Sequence, residues 1–155
     1  MLKNSEELVE EWKDVYFEKE EMMFSLDIEK MFTSLKRKEV KEEVGKLIEE
    51  EEIIRGWKKE EILRNLEYIW DNAYCIIEGE IVKIEEGLGI GSRMSPVLAE
   101  IMMKRWEEEK VEGEKRIGNF RRYVDDRIGI RKGKREELEE KVKSIEDEEK
   151  GIKLK

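Results

Sequence analysis

The apolar residues of this chain change period along its length, and that change narrows the folds open to it. In "MMFSLDI" they alternate: Phe24, Leu26 and Ile28 fall on one face, Met23, Ser25 and Asp27 on the other. From 37 to 51 and from 58 to 71 they recur at every third or fourth position, as Val40, Val44, Leu47 and Ile48, then Ile62, Leu66 and Ile69. Gly56 marks the break between these two expected helices. "AYCIIEGEIVKI" reads as a β-hairpin around Glu78-Gly79. "GLGIGSRMSP" is a glycine-rich loop, and Ser95 then Pro96 opens a helix as cap and first helical residue. That helix carries Val97, Leu98, Ile101, Met102 and Trp106 and is expected to end near Gly113. "FRRYV" and "RIGI" form a second hairpin with Asp125-Asp126 at its tip, residues 134–149 read as a charged helix, and "GIKLK" as a strand start. Residues 1–20 are a helical or poorly ordered arm, with Leu8, Val9, Trp12, Val15 and Tyr16 at helical spacing. The order is that of an α+β domain, an antiparallel sheet with helices packed on one face.

Composition removes several chemistries. The chain of 155 residues has no histidine, which excludes His-based acid/base work and His metal ligation. One cysteine, Cys75, excludes an internal disulfide and a zinc-thiolate cluster. No apolar run reaches membrane-span length, and the N-terminus has no signal-peptide core. The expected setting is intracellular, cytoplasmic or nuclear, with no membrane partner and no secretion. A charged fraction of 47% and a net charge of -9 predict weak non-specific attraction to nucleic acid. The charged helical faces read as solvated surface.

The acidic residues are uneven in type, six Asp against 35 Glu. Three of the six, Asp27, Asp125 and Asp126, stand in strand-like contexts, where Asp is unfavoured. A short, stiff carboxylate close to the backbone is what a tight Mg²⁺ site needs. Two ions about 3.5–4 Å apart could serve an attacking and a leaving oxygen. On residue chemistry alone Asp125-Asp126 reads more readily as an ordinary turn, although Asp-Gly or Asn-Gly is the usual pair there. Asp27 is equally readable as a strand end.

Three segments taken together resemble a known family. "FSLDIEKMFTSL", "GLGIGSRMSPVLAEIMM" and "RRYVDDRIGI" resemble, in order, the three palm motifs of reverse transcriptases, with the Penelope-like retroelement type the nearest in pattern. The resemblance runs from Phe24 to the C-terminus and implies one partial palm domain over 1–155, with an RNA-directed DNA polymerase activity. It implies that Asp27 and Asp125 hold two Mg²⁺ or Mn²⁺ ions, with Asp126 as their less directly ligating neighbour. Ile28 then lies where the backbone approaches the incoming triphosphate, and Phe32 matches the aromatic that excludes a ribose 2′-hydroxyl. Core packing at a helix start is the rival reading of Phe32. Gly91, Ser92 and Arg93 belong to the loop against the nascent base pair, and Tyr123 lies near the primer end. Implied partners are an RNA template with a DNA primer, dNTPs, and fingers and thumb segments of a longer polymerase.

The pattern also departs from the family. Ile90 replaces a Met, Arg93 a Pro, and Ser34-Leu35-Lys36 an Asn-Ile-Pro tail. Arg93, Arg121, Arg122, Arg127, Arg131 and Lys132 are expected to form a basic patch, or else simply to protect a hairpin edge. A palm without its neighbours would expose a sheet edge near "GIKLK" and associate. Two rivals of other classes remain at this point. One is a Glu/Lys-rich interaction module or decayed fragment without catalysis. The other is a non-templated nucleotidyltransferase, which also uses paired aspartates.

Overall fold

The computed structural model describes residues 2–51, 56–111 and 116–155, and these form two compact units. One comprises Met1–Glu29, Trp106–Glu148 and Ile152–Lys155, the other Lys30–Arg105 and Glu149–Gly151.

The first unit is built on a three-stranded antiparallel sheet. Strand β1 (Glu21–Asp27) lies on one side of the central strand β5 (Asp126–Lys132), and β4 (Ile117–Tyr123) lies on the other. The alternation read from the sequence decides the faces: Phe24, Leu26 and Ile28 are buried, whereas Met23 and Ser25 are exposed. Phe24 faces Gly129 across the pair, and a Cβ on Gly129 would sit 2.7 Å from the Phe24 ring. A glycine inside this strand is therefore what allows an aromatic ring to lie flat on the sheet. The helix α1 (Ser5–Trp12) opens on Asn4, whose Oδ1 accepts from the Glu7 amide at 2.9 Å. Within the helical or poorly ordered arm expected over 1–20, the helix occupies two turns.

The expected helix over 134–149 is shorter. It runs as α6, Arg135–Ile145. Ile145 is buried there and Glu146 turns extended. Asp147 and Ile152 then exchange backbone hydrogen bonds of 2.9 and 2.7 Å. This reversal returns the chain to β1, where Leu154 bridges Ile28. "GIKLK" is thus not a free edge but the strand-like segment that covers one.

The second unit holds α2 (Met31–Ser34), α3 (Arg37–Glu51), α4 (Lys59–Asp71), the hairpin of β2 (Tyr74–Ile77) and β3 (Glu80–Lys83), and the larger part of α5 (Ser95–Lys110). The two hairpins do not share a sheet: β2 and β3 pair only with each other. Glu78 and Gly79 both take positive φ, 53° and 89°, the geometry of a tight hairpin turn. Val40, Val44, Leu66, Trp70, Leu98, Met102 and Met103 form the core. Val97 and Ile69, apolar at the right spacing, are exposed instead. Buried Glu43 is set among Lys46 at 2.8 Å, Arg105 at 3.8 Å and Lys150 at 3.9 Å. The expected end of α5 near Gly113 lies outside the described residues. No helix among the described residues is long and apolar enough to cross a membrane.

Candidate active site

Asp27 and Asp126 are directly opposite in the β1–β5 ladder. The Asp27 amide donates to the Lys155 carbonyl at 3.0 Å, and its carbonyl accepts from the Lys155 amide at 3.1 Å. Its backbone is thus spent on the outer side. The Asp27–Asp126 pair is therefore of the non-hydrogen-bonded kind, in which Cα atoms approach to about 4.5 Å and side chains are closest. Both carboxylates stand on the sheet face that also carries Ser25 and Ile128. The repulsion between them is relieved on one side by Lys155, whose Nζ is 3.0 Å from Asp27 Oδ2. The hydrogen bond and charge of Asp27 raise the Lys155 pKa in return.

Asp125 sits in the turn. Tyr123 pairs with Asp126, so Val124 and Asp125 alone make the connection. Val124 takes φ 54°, left-handed backbone that a β-branched residue disfavours by about 1–3 kcal/mol. Tyr123, half exposed, projects from the Asp126 face. Ile28 is buried and its neighbours' backbone is bound: the Glu29 amide donates to the Lys153 carbonyl at 2.9 Å. A cavity of about 410 Å³ opens on the same face, between Leu2 and Leu8 of the N-terminal segment and Ser25, Tyr123, Asp126 and Ile128 of the sheet.

The expected basic patch is not there. Arg122, Arg127 and Arg131 are buried, because strand alternation turns them to the inner face. Glu107 on α5 takes both Arg122 Nε at 2.7 Å and Arg127 Nε at 3.1 Å. Arg131 lies 3.8 Å from Glu137. Of the outward residues, Lys132 pairs with Glu18 at 3.0 Å and Arg121 with Glu11. Burial pulls the Arg127 pKa down to about 10, against the opposing attraction of Glu107. The guanidinium also lies 5.4 Å above the Trp106 ring, whose Nε1 donates to the Ile145 carbonyl at 2.8 Å. Its Nη1 donates to the Asp125 carbonyl at 2.6 Å.

Phe32, Gly91, Ser92 and Arg93 belong to the other unit. Phe32 is half-buried in α2, and its carbonyl accepts from the Leu88 amide at 2.5 Å. Gly87 follows from close approach: at φ 73°, a Cβ there would lie 2.5 Å from the Thr33 carbonyl oxygen. Gly91 has φ 90° and open space around it. Ser92 accepts from the Met94 amide at 3.3 Å, and Ser95 Oγ donates to the Gly89 carbonyl at 2.7 Å. Arg93 is exposed. A second cavity of about 410 Å³ is lined by this loop with Trp70, Tyr74 and Leu98.

Sequence reasoning missed Arg37, Glu107 and Lys155. Arg37 donates to the carbonyls of Gly87 at 2.9 Å and Ile84 at 2.8 Å and lies 5.6 Å over Trp70, which fixes the start of the glycine loop. One signal was present for Arg127: it shares the inward parity of Gly129 and Arg131 on β5. Glu107 stands in a run of three glutamates and carries no such mark.

The donor set suits a hard cation in type. Mg²⁺ is commonly held by one or two carboxylates with substrate phosphates completing its shell, and Asp27 and Asp126 supply two facing ones. Among the described residues no three Asp, Glu or Cys side chains converge on one point.

No protein-family model matches the chain, and a search of curated proteins finds no relative. Solved structures do match. Apo telomerase from Candida tropicalis truncated from its C-terminal domain gives a TM-score of 0.71 at 18% identity, covering 99% of this chain and 34% of that one. Apo telomerase from the same organism gives 0.66 at 18% identity, over 92% of this chain and 28% of that one. Its complex with the TWJ fragment of telomeric RNA gives 0.64 at 17%, over 86% and 24%. The chain spans about a quarter to a third of the length of the telomerase structures it matches. At these identities the likeness is one of fold, and the α+β fold of this chain is reverse-transcriptase-like, with a palm-like sheet.

Proposed function

We propose that the chain is the palm of an RNA-directed DNA polymerase that adds dNTPs to a primer 3′-hydroxyl. The observation that carries this reading is the aspartate arrangement: Asp27 and Asp126 face each other on one sheet face, with Asp125 in the adjoining positive-φ turn. Asp27 and Asp126 would hold Mg²⁺ or Mn²⁺, with Asp125 beside them in the turn. When bound, two such ions neutralise the triphosphate and lower the pKa of the attacking hydroxyl. The chain's own part is positional. The ladder fixes the carboxylates, and the exposed edge of Tyr123 supports the primer end. The roles of Ile28 along the triphosphate, and of Phe32, Gly91, Ser92 and Arg93 at the nucleotide, rest on the motif resemblance. A nucleic-acid partner is supported by the telomerase neighbour solved with telomeric RNA. The Penelope-like assignment rests on the motif pattern alone.

The test is primer extension on an RNA template with dNTPs and Mg²⁺ or Mn²⁺, beside an Asp125→Asn control whose circular dichroism matches wild type. Extension by wild type only is the expected result. A folded wild type that neither extends a primer nor binds divalent ions would overturn the proposal. A second reading, a non-catalytic interaction domain, is favoured by the ion-paired arginines and by the exposed apolar pair Ile76 and Ile81 on the β2–β3 hairpin.

A further inference from the structure

We propose that Arg127 is the positioning residue of the aspartate turn, tying the Asp125 carbonyl to Glu107 on α5. The inference rests on the reading of that turn as the metal-binding element. Arg127 occupies an inward position of the central strand, only 1% exposed, where an aliphatic side chain would cost far less to bury. Its contacts say what the charge does there. One nitrogen holds Glu107 at 3.1 Å, another holds the Asp125 carbonyl at 2.6 Å, and the planar group rests on Trp106.

The turn has particular need of such a tie. Val124 is left-handed, and strained backbone persists only where its surroundings over-determine it. The turn's outer carbonyl, that of Asp125, accepts from Arg127 Nη1. Arg122, directly opposite on β4, meets the same Glu107 oxygen at 2.7 Å. One carboxylate on α5 thus anchors both strands of the hairpin two positions or fewer from the turn. The Trp106 ring is held in turn by the Ile145 carbonyl, so the anchor is itself fixed. A residue in this position acts on the direction of the Asp125 and Asp126 carboxylates without touching substrate. Lysine cannot replace it fully, because a single ammonium lacks the fork that spans two acceptors.

The experiment is an Mn²⁺ titration by electron paramagnetic resonance on the full chain, wild type beside Arg127→Met and Arg127→Lys, with amide hydrogen exchange at residues 124–126. Arg127→Met leaves Glu107 paired with Arg122, so no orphaned carboxylate is created. The expected result is an unchanged circular dichroism spectrum, Mn²⁺ affinity lower by roughly tenfold or more, and faster exchange in the turn. Arg127→Lys should fall between. Wild-type affinity and wild-type exchange in a folded Arg127→Met chain would overturn the inference. Should wild type take up no Mn²⁺, the metal reading falls, and turn exchange still decides the positioning role: unchanged exchange overturns it, faster exchange supports it. Failure of both variants to fold would make Arg127 a core element and likewise overturn it.

Discussion

Lys155 Nζ lies 3.0 Å from Asp27 Oδ2, on the carboxylate that faces Asp126 across the sheet. An ammonium therefore stands where charge neutralisation is needed. It competes with any divalent cation for Asp27. Replacing Lys155 with Met should tighten Mn²⁺ binding several-fold, read by calorimetry. The pH dependence has a definite sign. The Lys155 pKa is raised by Asp27, so the contact is fully present below the ordinary lysine value of 10.5 and is lost only as pH climbs through the higher folded value. The affinity gain of the Met variant should accordingly be constant from pH 6 to 9.

Asp126→Asn removes like-charge repulsion from a closely spaced pair. Opposed like charges on a sheet cost about 0.2–1 kcal/mol. The variant should melt about 1–3 °C higher in the absence of divalent ions. Wild type should gain stability on adding Mg²⁺, and the variant should gain less. Thermal melts with and without the ion check both statements.

Glu107→Ala leaves Arg122 and Arg127 buried beside each other without their shared carboxylate. Removing one partner from a buried ionic cluster costs about 3–5 kcal/mol. Urea denaturation should show that loss. The surface pair Lys38 and Glu42, 3.8 Å apart on α3, is the contrast: its removal should cost less than about 0.5 kcal/mol.

Val124→Gly relaxes the positive φ of the turn. Stability should rise by about 1 kcal/mol, measured by denaturant titration. Primer extension should fall at the same time, because a glycine turn no longer holds Asp125 in one direction.

The sequence by itself determined the elements whose cause is local. Alternation over Met23–Ile28 yields a strand, apolar spacing of three and four yields α3 and α4, and Ser95-Pro96 opens α5. Glu78-Gly79 is the turn the sequence pointed to, whereas the second turn falls on Val124-Asp125, one residue before the Asp125-Asp126 tip expected, because Asp126 pairs with Tyr123 inside the ladder. The opposition of Asp27 and Asp126 was half legible, since each lies in a segment whose own character was plain. Other features had no local signature. Whether an arginine lies in solvent or against Trp106 depends on strand parity and on which helix covers that face. Lys155 meets Asp27, and Arg121 meets Glu11, across more than a hundred residues of chain. α6 stops at Ile145 because the next residues must return Ile152 and Leu154 to the edge of β1. Tertiary structure decided these points because charge pairing and edge covering act through space, on partners that only the packed sheet brings together.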